Sequence, residues 1–470
     1  MSVAALRSVN GGEPSRRLVD PRHPLHTARA LVAAEFTDAS GHQLLLRHRG
    51  TFWRYARNVY LPADDELVRK AIWEFLDGCD CLDEKDRPVP LKPNRARVSE
   101  IVDALIAVCA LDAAVEPPAW LDLASTNPPP SEFVAVGNGL LHLPTGELYP
   151  PSPTFFGLSA SDVEFSDGAP LPSTWLAFLN QLWPDDPDSI AALQDWFGYC
   201  LAPDTSQQKI LLMVGPPRSG KGTIARVLTA LVGRDSVAGP TLAGLSTNFG
   251  LEPLIGKPLA IISDARLGAR SDQASIAERL LSISGEDSLT IDRKHRPAWT
   301  GRLPTRFALL TNELPNLADA SGALVRRFVI LSLGQSFYGR EDPLLTDRLL
   351  AELPGILNWA RVGYQRLRAR GHFLQPASAR DAIEVLEAMS SPIRAFVRER
   401  CRLGAGLQTP AQLLYTAWCE WCDASGRKPS TAQVFGRDLR SAFPAIRKPK
   451  QTRAGDDRLR VYEGIALAGD

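Results

Sequence analysis

The sequence lacks the features that would assign it to several specialised classes of protein. No apolar run approaches the roughly 18 residues that a membrane-spanning helix requires. The N-terminus, interrupted by Arg7 and then polar, does not resemble a secretory signal. The seven cysteines are an odd number without the spacing of a disulfide framework. These absences predict a cytoplasmic protein of a reducing compartment, without contact to a membrane.

The sequence also has no excess of charge of either sign, since 53 Lys and Arg residues balance 53 Asp and Glu residues. A global basic field is therefore excluded, and any contact with nucleic acid must come from local patches. The length of 470 residues is sufficient for roughly three domains.

What the sequence does contain is an apolar run that ends in a glycine-rich turn carrying a lysine. Residues 210–223 read ILLMVGPPRSGKGT, and the helical pattern that follows ends at Gly233. This order predicts a phosphate-binding loop, because the N–H groups of such a turn and the positive end of the helix dipole converge on an anion. The predicted nucleotide-binding residues are Gly215, Pro216, Pro217, Arg218, Ser219, Gly220, Lys221, Gly222 and Thr223.

Within this loop, Lys221 is predicted to be exposed and to reach the outer phosphates of ATP. A hydroxyl at the helix start would hold Mg²⁺, and the usual pattern places Ser or Thr directly after the lysine. Here Gly222 follows the lysine, so Thr223 is the predicted ligand.

Two further apolar strands end in polar side chains. Residues 258–264 end in Asp264, a carboxylate that can hold Mg²⁺ beside the loop. Many ATPases of this class carry a second acid that polarises the attacking water, whereas this chain has Ala265. Residues 306–312 end in Asn312, an amide that can orient the water and sense the γ-phosphate.

Three basic segments have two interpretations each. Arg326 and Arg327 precede a fourth strand, either as arginine fingers for a neighbouring subunit or as a solvated face.

Residues 289–299 predict a hairpin, whose cationic tip either contacts DNA or forms a charged surface turn; the tip residues are Arg293, Lys294 and His295. Helices within 413–422 and 432–443 precede a basic hairpin, which is either the DNA-contacting wing of a winged helix or a surface loop; its basic residues include Arg447, Lys448 and Lys450.

Together these segments resemble the superfamily 3 helicases of viruses, phages and plasmids. The signatures fall within residues 209–333, and residues 291–295 (IDRKH) are similar to the DNA-contacting hairpin of the papillomavirus initiator helicase. Thr311 and Asn312 resemble the family's first sensor, and Arg327 resembles its arginine finger. Residues 138–146 and 195–201 resemble the pre-helicase region of phage and plasmid primase-helicases, which is shared with a poxvirus nucleoside triphosphatase. The departures are Gly222 and Ala265.

The resemblance implies an AAA+-like α/β core with a parallel sheet, after a mainly helical domain and before a winged helix. We expect a flexible arm over residues 1–40, a helical pre-helicase domain over 41–188 with a β-hairpin at residues 133–146, the ATPase domain over 189–372 and the C-terminal domain over 373–470. Too little chain precedes residue 41 for the primase that such proteins often carry.

The implied function is an ATP-dependent replicative DNA helicase of phage, prophage or plasmid type, acting in the cytoplasm of a bacterial host. It would use ATP and Mg²⁺, form a ring, most simply a hexamer, and bind single-stranded and forked DNA. A separate primase or polymerase would be a further partner. The alternatives are an ATP-switched DNA-binding or regulatory protein that does not unwind DNA, and a nucleotide kinase, whose phosphate loop has a similar sequence.

Overall fold

The computed structural model describes residues 16–122, 126–265, 272–294, 296–315, 317, 322–454 and 457–468. These residues divide into two compact units. The first falls within Met1–His142 and Glu147–Glu164, and the second within Leu143–Gly146 and Phe165–Asp470.

The first unit is a mixture of helices and strands, so the prediction of a mainly helical domain is wrong for its described residues. The helices are α1 (Pro24–Glu35), α2 (Asp65–Asp77) and α3 (Arg95–Val108). The strands are β1 (Arg17–Leu18), β2 (Leu45–His48), β3 (Thr51–Ala56), β4 (Val59–Ala63), β5 (Cys79–Leu82), β6 (Pro88–Pro90), β7 (Ala119–Trp120), β8 (Phe133–Val136), β9 (Gly139–His142), β10 (Leu148–Tyr149) and β11 (Phe155–Phe156).

These strands form small sheets in the orders β1-β5-β6, β2-β3-β4, β10-β9-β8 and β11-β7. The hairpin predicted around residue 138 is confirmed by the antiparallel pairing of β8 with β9. The turn between β3 and β4 is made by Arg57 and Asn58, both with positive φ. Such a two-residue turn usually contains glycine, so the sequence carried little signal for this hairpin.

The helices of the first unit share one core. Leu31 of α1, Ile72 of α2 and Leu105 of α3 are fully buried in the same apolar cluster. This burial stabilises the three helices against one another, since apolar surface removed from water is the dominant favourable term in folding.

The second unit contains the segment with the phosphate-loop signature. Its helices up to residue 390 are α4 (Ser173–Leu182), α5 (Pro187–Leu201), α6 (Lys221–Val232), α7 (Leu242–Leu245), α8 (Gln273–Ser284), α9 (Ala323–Arg327), α10 (Leu345–Ala351), α11 (Leu353–Arg370) and α12 (Arg380–Ser390). Its strands over the same range are β12 (Ile210–Val214), β13 (Val237–Ala238), β14 (Leu259–Ile262), β15 (Leu289–Arg293), β16 (Arg296–Gly301), β17 (Arg306–Thr311) and β18 (Phe328–Ser332).

Five of these strands form a parallel sheet in the order β13-β14-β17-β12-β18, which confirms the predicted parallel sheet. Leu212, Leu309 and Ile330 bury one face of it in a cluster shared with α8 and α9. Because the strands are parallel, the loop after β12 and the residues after β14 and β17 lie at the same edge of the sheet.

A close helix crossing supports this sheet. A Cβ atom at Gly198 of α5 would lie 2.3 Å from the Tyr364 backbone nitrogen of α11, so only glycine allows this approach. At the same crossing the buried Asp195 carboxylate accepts hydrogen bonds from Arg366 and Arg370. Its charge is therefore compensated, as buried carboxylates require.

The C-terminal part of the second unit combines helices with an antiparallel sheet. Its elements are α13 (Pro392–Arg400), β19 (Cys401–Pro410), α14 (Ala411–Ala424), α15 (Ala432–Ala442), β20 (Arg447–Ala454) and β21 (Asp457–Leu467). The strands pair in the order β19-β21-β20, around a core that includes Phe396, Trp418 and Leu439. The two predicted helices and the basic hairpin are thus present.

Among the described residues, no helix is both long and apolar enough to cross a membrane.

Candidate functional site

The loop between β12 and α6 has the backbone geometry that its glycines predict. Gly220 has φ of +91°, in the left-handed region that favours glycine, and α6 begins at the next residue. A Cβ atom at Gly215 would lie 2.5 Å from the Leu333 carbonyl oxygen, directly after β18. Glycine is therefore required at both ends of the loop, once for its φ and once for close packing.

Lys221 is buried, with 8% of its surface exposed, so the prediction of an exposed lysine is wrong. The Lys221 ammonium folds back and donates to the carbonyl oxygens of Gly215 (2.6 Å) and Pro216 (2.9 Å) and to the Ser219 hydroxyl (3.0 Å). Burial lowers the pKa of Lys221 from its usual value. The lysine thus stays hydrogen-bonded inside the loop, where sequence alone placed it in solvent.

Asn312 is brought to the loop as predicted. It follows β17, the neighbour of β12, and its Oδ1 accepts a hydrogen bond of 3.2 Å from the Lys221 ammonium. This contact joins two segments that are 91 residues apart in the chain. A group bound by Lys221 would therefore lie within reach of the Asn312 amide.

Asp264 follows β14, but the structure does not place it in the same cavity. Its side chain is exposed, whereas the next residue, Ala265, is buried with its N–H donating to the Leu310 carbonyl. β17 lies between β14 and β12, and adjacent strands are about 4.8 Å apart. Asp264 is accordingly two strands away from the loop.

A cavity of about 670 Å³ opens at the start of α6. Residues 217–223, Asn312 and a stripe of α4 line it, together with the segment after β18. The cationic side chains of its lining are Arg218, Lys221, Arg226, Arg340 and Arg348. Among the described residues of the lining, two are acidic, Glu341 and Asp342, which pair with Arg218 (3.5 Å) and Arg348. The cavity therefore has a net positive charge.

The α4 stripe gives the cavity an apolar wall. Ala177 and Phe178 line it beside Thr174 and Gln181, at the spacing of one helix face. Glu352 holds the start of this helix, since its carboxylate accepts the N–H groups of Thr174 and Trp175, each at 2.9 Å. The cavity thus combines a cationic floor with an apolar side, as a site for an anionic organic molecule would.

The predicted magnesium ligands, Thr223 and Asp264, do not fit that ion in this geometry. Mg²⁺ binds through oxygen ligands, usually one or two carboxylates together with water and phosphate. The Thr223 hydroxyl accepts a hydrogen bond of 3.1 Å from Arg226, a cation that would repel the ion, and Asp264 is outside the cavity lining. Among the described residues, Thr223 and Asp264 therefore do not form a paired magnesium site at the loop.

The two arginines of α9 differ in their surroundings. Arg326 is exposed, whereas Arg327 is partly buried and donates to the Leu281 carbonyl (3.2 Å) and the Ser284 hydroxyl (2.9 Å) at the end of α8. Neither arginine lines the cavity of its own chain. Any action on phosphate would therefore involve another subunit.

The predicted basic hairpin is present, because β15 pairs antiparallel with β16. Arg293 is buried and donates to the Pro297 carbonyl at 2.9 Å, so it holds the turn together. Lys294 and Arg296 are exposed at the tip, while His295 lies outside the described residues. Lys294 and Arg296 thus present their charge to solvent, and Arg293 does not.

At the C-terminal hairpin, Arg447 is exposed and lies 3.8 Å from the Glu463 carboxylate of β21. The side chains of Lys448 and Lys450 fall outside the part of the chain that the structure describes.

The sequence did not predict that α4 and Arg226 line the cavity. α4 precedes the loop by almost forty residues, and its amphipathic pattern gave no sign of which neighbour it faces. Arg226 stands one turn after Thr223 on α6, so the helical spacing alone could have placed it near the loop.

Residues 213–327 match the model of a protein family of unknown function, DUF5906. This stretch extends from β12 to the end of α9, so it contains the loop, Asp264, Asn312 and the β15–β16 hairpin.

Part of the chain is similar to the replication protein E1 of European elk papillomavirus. The two are 27% identical over 184 residues, which cover 38% of this chain. The match spans only 27% of the length of the viral protein.

The fold is similar to that of solved structures of the NrS-1 C-terminal region. Two of these apo structures match with TM-scores of 0.51 and 0.53, at 12% and 14% identity. Each match covers 94% of this chain and 99% of the solved chain. The mixed α/β fold with a parallel sheet is therefore shared along nearly the whole chain.

Proposed function

We propose that this protein is an ATP-dependent replicative DNA helicase of phage, prophage or plasmid type, related to superfamily 3. The observation that carries the proposal is the cationic cavity at the start of α6, with Lys221 and Asn312 hydrogen-bonded across its floor. Loop N–H groups, a helix N-terminus and cations together favour the phosphates of a nucleotide.

ATP suits this cavity because its anionic triphosphate matches the cationic floor and its base matches the apolar side. The triphosphate would lie along residues 217–223, and the base would lie against the apolar α4 stripe with Phe178. Mg²⁺ remains part of the proposal as the ion that ATP carries on its phosphate oxygens, with its waters.

A role in replication is supported by the partial similarity to papillomavirus replication protein E1. Ring formation is supported by the position of Arg326 and Arg327 outside the cavity of their own chain. In a ring, either arginine would complete the nucleotide site of the neighbouring subunit, and a hexamer is the simplest such ring.

Contacts with DNA would come from two basic surfaces. Lys294 and Arg296 at the tip of the β15–β16 hairpin would grip phosphates of the translocated strand, independently of its sequence. The order helix, strand, two helices and hairpin from α13 to β21 supports a winged helix whose wing includes Arg447. Single-stranded and forked DNA are the proposed partners, with a separate primase or polymerase.

A second candidate is an ATP-switched DNA-binding protein that does not unwind DNA. The position of Asp264 outside the cavity lining favours this alternative, as does a buried Ala265 in place of a second acid. Without a second acid directly after Asp264, activation of water would be weaker than binding of the nucleotide.

The test is Lys221→Ala, with Lys85→Ala at an exposed position of the first unit as the matched control. We expect Lys221→Ala to lose ATP binding, ATP hydrolysis and displacement of a DNA strand while remaining folded by circular dichroism. The control should retain all three activities. Mass photometry with ATP and single-stranded DNA should detect a ring for the wild type only in the presence of ligand.

The outcomes separate the candidates. Normal turnover in Lys221→Ala would contradict the assignment of the cavity and with it the helicase. ATP-dependent DNA binding without strand displacement would establish the switch instead. ATP turnover that DNA does not affect would favour a nucleotide kinase.

A further inference from the structure

Arg226 is the one cavity cation whose hydrogen bonds involve only two neutral hydroxyl groups. Its Nη2 donates to the Thr223 hydroxyl at 3.1 Å and its Nε to the Thr346 hydroxyl at 3.4 Å. It forms no ion pair with a carboxylate of any residue that the structure describes. By contrast, Arg218 and Arg348 of the same cavity each pair with an acid. The Arg226 charge is therefore available to a ligand.

Arg226 lies beside the residue directly after Lys221. A Cβ atom at Gly222 would lie 3.5 Å from Nη1 of Arg226, which is ordinary contact for a methyl group. The guanidinium therefore keeps its place whether or not this position carries a Cβ atom. These two residues are four apart on α6, so their side chains share one face of the helix.

We propose that Arg226 binds the outer phosphate oxygens of the nucleotide from within the same subunit. The inference rests on the proposed function, since it requires a nucleotide in this cavity. A guanidinium presents paired N–H donors that match phosphate oxygens, and it carries its charge at any physiological pH.

This role explains why the loop departs from the usual pattern. In that pattern the hydroxyl after the lysine binds Mg²⁺, which neutralises phosphate charge. Here the position has no side chain, and the hydroxyl one residue later is bound by a guanidinium. The Arg226 guanidinium would then supply positive charge that Mg²⁺, bound to the hydroxyl after the lysine, supplies in proteins with the usual pattern. The consequence is ATP binding that depends less on Mg²⁺.

The experiment compares the affinity of ATP and AMP for four proteins, each in buffer with Mg²⁺ and in buffer with EDTA. The variants are Arg226→Ala, Gly222→Ser and, as matched control, Arg234→Ala, an exposed arginine just after α6 and outside the cavity. Isothermal titration measures the affinities, and thermal melting checks that each variant is folded.

We expect Arg226→Ala to weaken ATP binding in EDTA on the order of 10-fold to 100-fold, as for the loss of one charge-assisted contact. With Mg²⁺ present the loss should be smaller, and AMP binding should change little because AMP lacks the outer phosphates. Gly222→Ser should bind ATP in EDTA as the wild type does, since a Cβ atom there is in ordinary contact with the guanidinium and leaves Arg226 in place. Arg234→Ala should match the wild type.

Two results would overturn the inference while leaving the proposed function intact. One is an Arg226→Ala protein that binds ATP as tightly as the wild type in both buffers. The other is an equal loss for ATP and AMP, which would mean that Arg226 shapes the cavity without contacting phosphate. If the wild type binds neither nucleotide in either buffer, the proposed function fails together with this inference.

Discussion

The cavity at the start of α6 and the tip of the β15–β16 hairpin both present lysine, but they hold it in opposite ways. Lys221 is buried and donates to four acceptors of its own subunit. Lys294 is exposed, and its described hydrogen bond, to Glu252, is made by the backbone N–H rather than by the ammonium. One lysine is fixed in a cavity, and the other extends into solvent.

The difference indicates two kinds of anion. A fixed, partly desolvated cation discriminates among discrete ligands, because only a group of the right shape can replace its internal partners. An exposed cation contacts any phosphate that passes it, with an affinity that depends on salt. The difference is therefore the one expected if, as proposed, the cavity binds a nucleotide and the hairpin tip contacts a strand of nucleic acid that slides past.

The largest effect is expected from the arginines that would link one subunit to the cavity of the next. Arg327→Ala should bind ATP normally but hydrolyse it on the order of 10³-fold more slowly, by comparison with other arginine fingers. Arg326→Ala, at the exposed neighbour, should lose less. Steady-state ATPase rates and nucleotide titrations measure the two effects.

Mixing Arg327→Ala with Lys221→Ala should restore some activity, because a mixed interface can pair an intact loop with an intact arginine. Arg327 also holds the end of α8 through Leu281 and Ser284. A lower melting temperature without recovery in mixed rings would assign Arg327 a structural role within its own chain.

A smaller effect is expected at the hairpin tip. Replacing Lys294 and His295 together with Ala should abolish DNA stimulation of the ATPase and displacement of a strand, while the basal ATPase rate remains. The reason is that the substitutions remove cations outside the cavity and leave Lys221 and Asn312 in place. Arg302→Ala, exposed just after β16, is the matched control. Unwinding at the wild-type rate by the double variant would contradict the proposed contact between the hairpin tip and DNA.

The smallest effect concerns the wall of the cavity. Burial on its own would raise the pKa of Glu352, but hydrogen bonds from Thr174 and Trp175 outweigh it and hold the pKa below its usual value. A carboxyl with a lowered pKa stabilises the fold above its unfolded-state pKa, and this contribution disappears as pH falls through the lower, folded-state value.

Glu352→Gln should therefore reduce the free energy of unfolding at pH 7 by about 1 kcal/mol, a value typical of a lost helix cap. The difference from the wild type should begin to shrink as pH falls through the unfolded-state pKa of about 4.3 and should vanish below the lower, folded-state pKa. Urea unfolding at both pH values measures it. A difference that persists unchanged in acid would mean that the charge of Glu352 is irrelevant to the start of α4.

Features that depend on local pattern were predicted well from the sequence. The apolar run of β12, the glycines at the loop and the start of α6 are all encoded within about 25 residues. The strand β17 and the β15–β16 hairpin were also predicted from local sequence, the hairpin from its alternation of apolar and polar residues and its turn. The parallel sheet was implied by the resemblance to superfamily 3 helicases.

Features that depend on distant partners were not predicted. The burial of Lys221 requires the Asn312 amide and the folded loop carbonyls, which no local pattern encodes. The position of Asp264 follows from strand order, because β17 intervenes between β14 and β12. Apart from the β8–β9 hairpin, the sheets of the first unit were not predicted, because their strands are short and one turn uses Arg57 and Asn58 in place of glycine.

The four acceptors around the Lys221 ammonium have a consequence for the proposed exchange of a nucleotide. An entering phosphate would compete with the carbonyls of Gly215 and Pro216, the Ser219 hydroxyl and the Asn312 amide for the three N–H groups of the lysine. Each replaced bond would offset part of the gain from the new contact, so the net affinity would be lower than the contacts alone suggest. On departure of the phosphate the same acceptors would again accept these N–H groups, so dissociation would leave no unsatisfied charge. Under the proposed function, a lysine satisfied in this way would favour rapid turnover over tight retention of product.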